Sequence, residues 1–128
     1  MHEKIGFISL GCPKNQVDSE LMLEKLDAAG YEIIDTAYGA DVVIINTCGF
    51  IEDAKKEAID NILEMVEYKE DGQVGKIIVI GCLAERYRDE ILKEIPEVDA
   101  VGGLGVNGDI VEFVGNVLKG TEKSRYPE

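Results

Sequence analysis

Three cysteines are the residues best suited to chemistry in this 128-residue chain, and each follows an apolar run of strand length. Cys12 follows "GFISLG", Cys48 follows "VVIINT" and Cys82 follows "IIVIG". If these runs form parallel strands, the three thiols converge at the carboxyl edge of one sheet, where open α/β sheets bind their ligands. For each cysteine taken singly, the alternative is a buried structural role, because a free cysteine packs like a small apolar side chain.

The other potential ligands limit what such a set of thiols would hold. Thiolates without nearby imidazole select soft metals or iron-sulfur clusters. The single histidine, His2, precedes the first predicted strand, so we expect it nearer the opposite edge of the sheet. Structural zinc sites favour close pairs such as C-x-x-C, whereas these cysteines are 36 and 34 residues apart. A 4Fe-4S cluster with three cysteine ligands fits better, and it leaves one iron without a protein ligand.

Two other uses of the cysteines stay open at this point. A thiol redox module needs two thiols whose Cα atoms lie within about 7 Å of each other. A structural docking domain would tolerate the loss of all three thiols. Iron uptake under anaerobic conditions separates both alternatives from cluster binding.

The residues around the first cysteine shape its surroundings. Pro13 disfavours a helical conformation at Cys12 and thereby holds the thiol ahead of the helix that follows. Lys14 and Asn15 are candidates for hydrogen bonds to the cluster or for substrate contacts. Lys14 is equally explained as a solvated charge, and Asn15 as the N-cap of the helix. Glycines also flank the thiols, at Gly11, Gly49 and Gly81.

Strand and helix patterns alternate along the chain. Apolar runs predict strands at 4–10, 31–35, 41–47, 76–81 and, more weakly, 99–103. Helical spacing predicts helices from near Asn15 to 29 and over 52–69, 84–95 and 108–119. The first helix is expected to bury Val17, Leu21, Met22, Leu26 and Ala29. The second is expected to bury Ala54, Ala58, Ile62, Met65 or Val66, and the fourth Ile110, Val114, Val117 and Leu118.

This alternation predicts the fold class. Strands covered on both faces read as nearly continuous apolar runs, as "VVIIN" and "IIVIG" do. We therefore expect a doubly wound α/β domain with a mostly parallel, five-stranded sheet and helices on both faces. The flavodoxin-like strand order 2-1-3-4-5 is the simplest for this length. Residues 1–120 would form the domain, and the polar tail 121–128 would begin a linker.

Composition narrows the classes of partner. The net charge of −13 repels a phosphate backbone, so direct nucleic-acid binding is not expected and a basic protein partner fits better. The chain has neither a long apolar run nor a signal-peptide layout, which predicts a cytoplasmic protein without a membrane segment.

Three motifs, "SLGCPKNQVDSE", "NTCGFI" and "IGCLAERY", together resemble the methylthiotransferase family over nearly the whole chain. The resemblance is to the N-terminal, UPF0004-type domain of that family, which precedes a radical S-adenosylmethionine domain. It implies that Cys12, Cys48 and Cys82 bind an auxiliary 4Fe-4S cluster. The form "GCPKN" is similar to the RimO-like branch, which modifies an aspartate of a small-subunit ribosomal protein.

The resemblance also implies what this chain does not carry. The family's C-x-x-x-C-x-x-C motif, which holds a second 4Fe-4S cluster beside S-adenosylmethionine, has no counterpart here. No catalytic residue is therefore predicted in this chain, and the fragment alone is expected to be inactive. In the full-length enzyme its partners would be its own radical S-adenosylmethionine domain and a basic ribosomal protein. The same domain of a tRNA adenosine methylthiotransferase is the alternative.

Overall fold

The structure is a computed structural model that describes residues 3–9, 13–34, 39–47, 52–81, 84, 87–102, 110–120 and 124–125. These residues form a parallel sheet with helices packed on both of its faces. The predicted doubly wound α/β fold is confirmed. Among the described residues, no helix is both long and apolar enough to cross a membrane.

The strands lie in the order β2-β1-β3-β4-β5-β6, and all neighbouring pairs are parallel. Their bounds are β1 Lys4–Ser9, β2 Glu32–Ile34, β3 Val42–Thr47, β4 Lys76–Gly81, β5 Ala100–Gly102 and β6 Ser124–Arg125. The predicted order 2-1-3-4-5 is therefore confirmed. The structure adds β6, a two-residue strand in the tail that was expected to lack structure, because two residues are too few to produce an alternating pattern.

The described residues form helices α1 Pro13–Ala28, α2 Glu52–Glu70, α3 Arg88–Glu94 and α4 Ile110–Lys119, and Ala84 is also helical. Helices α2 and α3 pack on one face of the sheet, against alternate residues such as Val43 and Ile45 of β3. Helices α1 and α4 pack on the other face, against Val42 and Ile44. All six residues of β3 are buried, because both faces of this central strand are covered.

The start of α1 differs from the prediction. The helix begins at Pro13, so the prediction that Asn15 is the N-cap is wrong. Proline is well suited to the first helical turn, because its missing N–H would have no partner there and its φ angle is already helical. Lys14 and Asn15 are thus part of the first turn of α1.

Burial confirms the predicted core at most of the helical positions whose side chains the structure describes, which do not include Val17, Ala54 and Ala58. Met22, Leu26, Ile62, Met65 and Val66 are buried. In α4, Ile110, Val114 and Val117 are buried as predicted, whereas Leu118 is only partly buried. Phe113, which the prediction missed, is also buried.

Two predicted core positions of α1 are wrong. Leu21 is 52% exposed, because the stripe of α1 that faces the sheet runs through Met22 and Leu26 and leaves Leu21 beside it. Ala29 is exposed, because α1 ends at Ala28.

Candidate metal centre

The carboxyl ends of β1, β3 and β4 are neighbours at one edge of the sheet. Ser9 at the end of β1 is in register with Asn46, and Thr47 at the end of β3 is in register with Gly81 at the end of β4. Neighbouring strands lie about 4.8 Å apart, so the three ends span roughly 10 Å. The strands that lead to the three cysteines therefore finish side by side.

The three cysteines themselves lie outside the described residues. In the chain, Cys48 directly follows Thr47, Cys82 directly follows Gly81, and Cys12 comes three residues after Ser9. Their convergence on one site stays a prediction, as do the contacts suggested for Lys14 and Asn15. Among the described residues, no group of three His, Cys, Asp or Glu side chains is placed to hold a metal ion.

Gly81 is tightly constrained by its backbone conformation and by its neighbours on β3. Its φ of +99° lies in the left-handed region that non-glycine residues rarely adopt. A Cβ atom there would lie 2.8 Å from Asn46 Oδ1 and 2.9 Å from Thr47 N, and would collide with Thr47 O. Only glycine therefore fits at the position that immediately precedes Cys82.

Two buried polar residues, Asn46 and Thr47, end the apolar strand β3. Thr47 Oγ1 donates a 2.7 Å hydrogen bond to Ile80 O on β4, and Thr47 is fully buried. Asn46 is 2% exposed and faces Gly81 through its Oδ1 atom. This hydrogen bond and this close packing fix the end of β3 against the end of β4, one residue before each of two cysteines.

Sequence reasoning did not single out Asn46 or Thr47. A signal was present, since two polar residues close a run that is otherwise entirely apolar in "VVIINT". A polar group that is buried must be hydrogen-bonded to avoid a desolvation cost, so such residues mark a specific local arrangement.

The ion pair between Lys69 and Asp99 lies at the opposite, amino edge of the sheet. Asp99, just before β5, accepts 2.8 Å hydrogen bonds from Lys69 Nζ and from the backbone N–H of Ile77. Lys69 Nζ also donates to Glu97 O at 2.8 Å. These contacts join the end of α2 to the starts of β4 and β5, so their role is structural.

A tyrosine at the same amino edge has a perturbed pKa. Burial raises the pKa of the Tyr31 phenol above its ordinary value of 10.0, and the charge of Glu3 raises it further. Tyr31 precedes β2 and lines a cavity of about 560 Å³ with Glu3 and Gly115. It is remote from the carboxyl edge and is not part of the candidate centre.

Comparison with known proteins identifies the family. Residues 4–103 match the family model described as "Uncharacterized protein family UPF0004". The chain belongs to the UPF0004 family. The matched range begins with β1, ends just after β5 and includes Cys12, Cys48 and Cys82.

Curated relatives of this UPF0004 domain carry the name "Ribosomal protein uS12 methylthiotransferase RimO". The protein from Natranaerobius thermophilus is 48% identical over 123 residues, which are 96% of this chain and 28% of the relative. The protein from Solibacter usitatus is 56% identical over 110 residues, which are 86% of this chain and 24% of the relative. The protein from Caldicellulosiruptor saccharolyticus is 59% identical over 101 residues, 79% of this chain and 23% of the relative. The chain thus spans about a quarter of the length of these relatives.

Proposed function

We propose that this UPF0004 domain binds an auxiliary 4Fe-4S cluster through Cys12, Cys48 and Cys82, as part of an enzyme that methylthiolates ribosomal protein uS12. The observation that carries the proposal is the register of the strand ends. Thr47 and Gly81 are paired across β3 and β4, and a cysteine follows each of them directly in the chain. Strand β1, which leads to the third cysteine, is the other neighbour of β3.

The donor set fits an iron-sulfur cluster. Cysteine thiolates are the ligands that such clusters use, and the chain supplies three of them after three adjacent strands. Gly81 presents no side chain at the edge where a bulky group would approach the backbone. When bound, the cluster would supply an iron with an open coordination position at which sulfur can be held.

The described residues at this edge would position the cysteines for metal binding. The hydrogen bond from Thr47 to Ile80 and the packing of Gly81 against β3 hold two of the three strand ends at a fixed spacing. A rigid edge of this kind would orient Cys48 and Cys82 before any metal binds, so less conformational freedom would be lost on binding. Lys14 and Asn15, in the first turn of α1, are proposed to contact the cluster or the substrate.

The names of the relatives support the ribosomal-protein substrate over a tRNA substrate. The relatives described above are named for uS12, and at 48–59% identity this chain is similar to that branch. The net charge of −13 favours a basic protein partner over a phosphate backbone. A thiol redox module is not supported by any close pair of cysteines in the sequence.

The proposal extends to the rest of the enzyme. Residues 1–120 would form the cluster-binding domain, and 121–128 would lead to a radical S-adenosylmethionine domain that carries a second 4Fe-4S cluster. Residues Ser124–Arg125 pair with β5, so the connection would leave from the edge of the sheet. We place the enzyme in the cytoplasm, where ribosomes are found.

Anaerobic reconstitution with iron and sulfide tests the proposal. We expect about four irons per chain and a visible absorption band, because three soft thiolates at one edge suit one cluster. Replacing any one of the three cysteines by serine should sharply lower the iron content while the circular dichroism of the apo chain is retained. Stoichiometric zinc binding without iron uptake would contradict the proposal.

A control variant separates loss of a ligand from local disturbance. Ala84 is buried two residues after Cys82, so Ala84→Ser introduces a hydroxyl nearby without removing a thiol. This variant should bind iron like the unmodified chain if its circular dichroism is unchanged. Equal iron loss in Ala84→Ser and Cys82→Ser would attribute the loss in Cys82→Ser to local disturbance, and the assignment of Cys82 as a ligand would lose its support.

A further inference from the structure

An apolar groove separates helices α2 and α3 on one face of the sheet. It encloses about 310 Å³, and six of its eight described lining residues are apolar or aromatic. Ile62, Ile91 and Ile95 form its buried floor and belong to the core on that face. Leu63 on α2 is 47% exposed, so the groove presents apolar surface that the described residues leave uncovered.

The rim of the groove is acidic. Glu90 and Glu94 line it from α3 and are exposed, and their spacing of four residues places both on one side of that helix. The described residues that line the groove include no lysine or arginine. On α2, Glu67 lies one turn after Leu63 on the same side and is also exposed. An occupant must therefore combine apolar side chains with positive charge.

We propose that this groove binds an amphipathic helix whose apolar stripe is flanked by lysine or arginine. A groove between two helices accepts a third helix through apolar side chains spaced three and four residues apart. The isoleucine floor and Leu63 would contact that stripe. Glu90 and Glu94 would pair with the flanking cations, which selects a basic helix over a neutral or acidic one. The net charge of −13 adds a long-range attraction for the same partner.

Titration of the chain with synthetic fluorescent peptides tests this proposal. The probe peptide places Leu at every third or fourth position and Lys beside the leucines, and a scrambled peptide has the same composition without the stripe. We expect the striped peptide to bind more tightly than the scrambled one, since both carry the same charge and only one matches the apolar floor. Equal binding of the two peptides would overturn the proposal.

Two exposed leucines provide a matched pair of variants. Leu63→Gln removes apolar surface from the groove, whereas Leu21→Gln removes it from α1, on the other face of the sheet. We expect Leu63→Gln to weaken binding of the striped peptide roughly five-fold, because about half of the leucine side chain remains to be buried. Leu21→Gln should change the affinity less than two-fold, and an equal effect of the two variants would refute the assignment to the groove.

A second pair of measurements tests the charge. The double variant Glu90→Gln, Glu94→Gln should weaken binding and reduce its dependence on salt, because two screened attractions are removed. Sedimentation without peptide shows whether a second copy of the chain fills the groove instead. A dimer that dissociates in Leu63→Gln but not in Leu21→Gln would overturn the proposal in favour of self-association.

Discussion

The variant Gly81→Ala tests whether the packing between β3 and β4 prepares the candidate metal centre. Alanine at a φ of +99° is strained by about 1–3 kcal/mol. Its Cβ would press on Thr47 O and Thr47 N, which are backbone atoms of a fully buried strand and move little. Overpacking of this kind costs about a further 1–3 kcal/mol. We therefore expect the free energy of unfolding to fall by about 2–6 kcal/mol, the combined range of the two costs.

Urea unfolding of the apo chain and iron content after anaerobic reconstitution are the two assays for this variant. We expect Gly81→Ala to be less stable, and we expect the molecules that remain folded to bind less iron. Relief of the clash would move the end of β4 away from the end of β3. That movement changes the spacing between the positions that precede Cys48 and Cys82.

Two other glycines separate the effect of backbone strain from the effect of a clash beside the cysteines. Gly75 meets Asp41 O at the amino end of the same two strands, so Gly75→Ala reproduces a backbone clash far from the cysteines. Gly72 has a φ of +80° with open space around it, so Gly72→Ala reproduces the strain without a clash. Both variants should lose stability and keep their iron. If Gly81→Ala is as stable as the unmodified chain, or if Gly75→Ala loses as much iron, the proposed role of Gly81 is wrong.

Four further predictions concern other parts of the chain. Thr47→Val should lower the free energy of unfolding by about 1–3 kcal/mol in urea titrations, because Ile80 O loses a buried donor, and Thr47→Ser should recover most of it. Asp99→Ala should lower the free energy of unfolding by about 1–3 kcal/mol, because the backbone N–H of Ile77 is left unpaired. If added salt abolishes this loss, the partly exposed ion pair with Lys69 would be its cause instead. The absorbance titration of Tyr31 should have a midpoint above 10.0, and this midpoint should fall in Glu3→Gln. The contribution of Tyr31 to the free energy of unfolding is present below pH 10.0 and is lost as the pH rises through the raised pKa. The chain mixed with S-adenosylmethionine and a reductant should form no 5′-deoxyadenosine above a no-protein control, because all three of its cysteines are proposed to bind the auxiliary cluster.

The sequence predicted the central part of the fold well. Strand β4 has the expected bounds of 76–81, and β3 differs by one residue, because doubly covered strands produce long apolar runs between clear breaks. Right-handed crossovers allow several strand orders, and the simplest of them for this length, 2-1-3-4-5, is the order that the first five strands have. Helix α2 also agrees within one residue, since "EDG" ends its periodic pattern.

Other features depend on tertiary packing, and the sequence alone did not predict them. The pairing of Ser124–Arg125 with β5 and the exposure of Leu21 depend on neighbours that are distant in the chain. The same holds for Thr47, whose hydroxyl finds its acceptor 33 residues away on β4. At the candidate centre, residue type and strand order suggested the three cysteines, and their shared ligand stays a prediction.

An iron anomalous difference map from crystals of the anaerobically reconstituted chain tests the central proposal most directly. We predict one four-iron cluster beside the ends of β1, β3 and β4, next to Thr47 and Gly81. The sulfurs of Cys12, Cys48 and Cys82 should bind three different irons, with sulfur separations of roughly 5 to 10 Å, in keeping with the strand spacing. Iron bound elsewhere, or any one of the three sulfurs at the amino edge of the sheet, would contradict the shared cluster site.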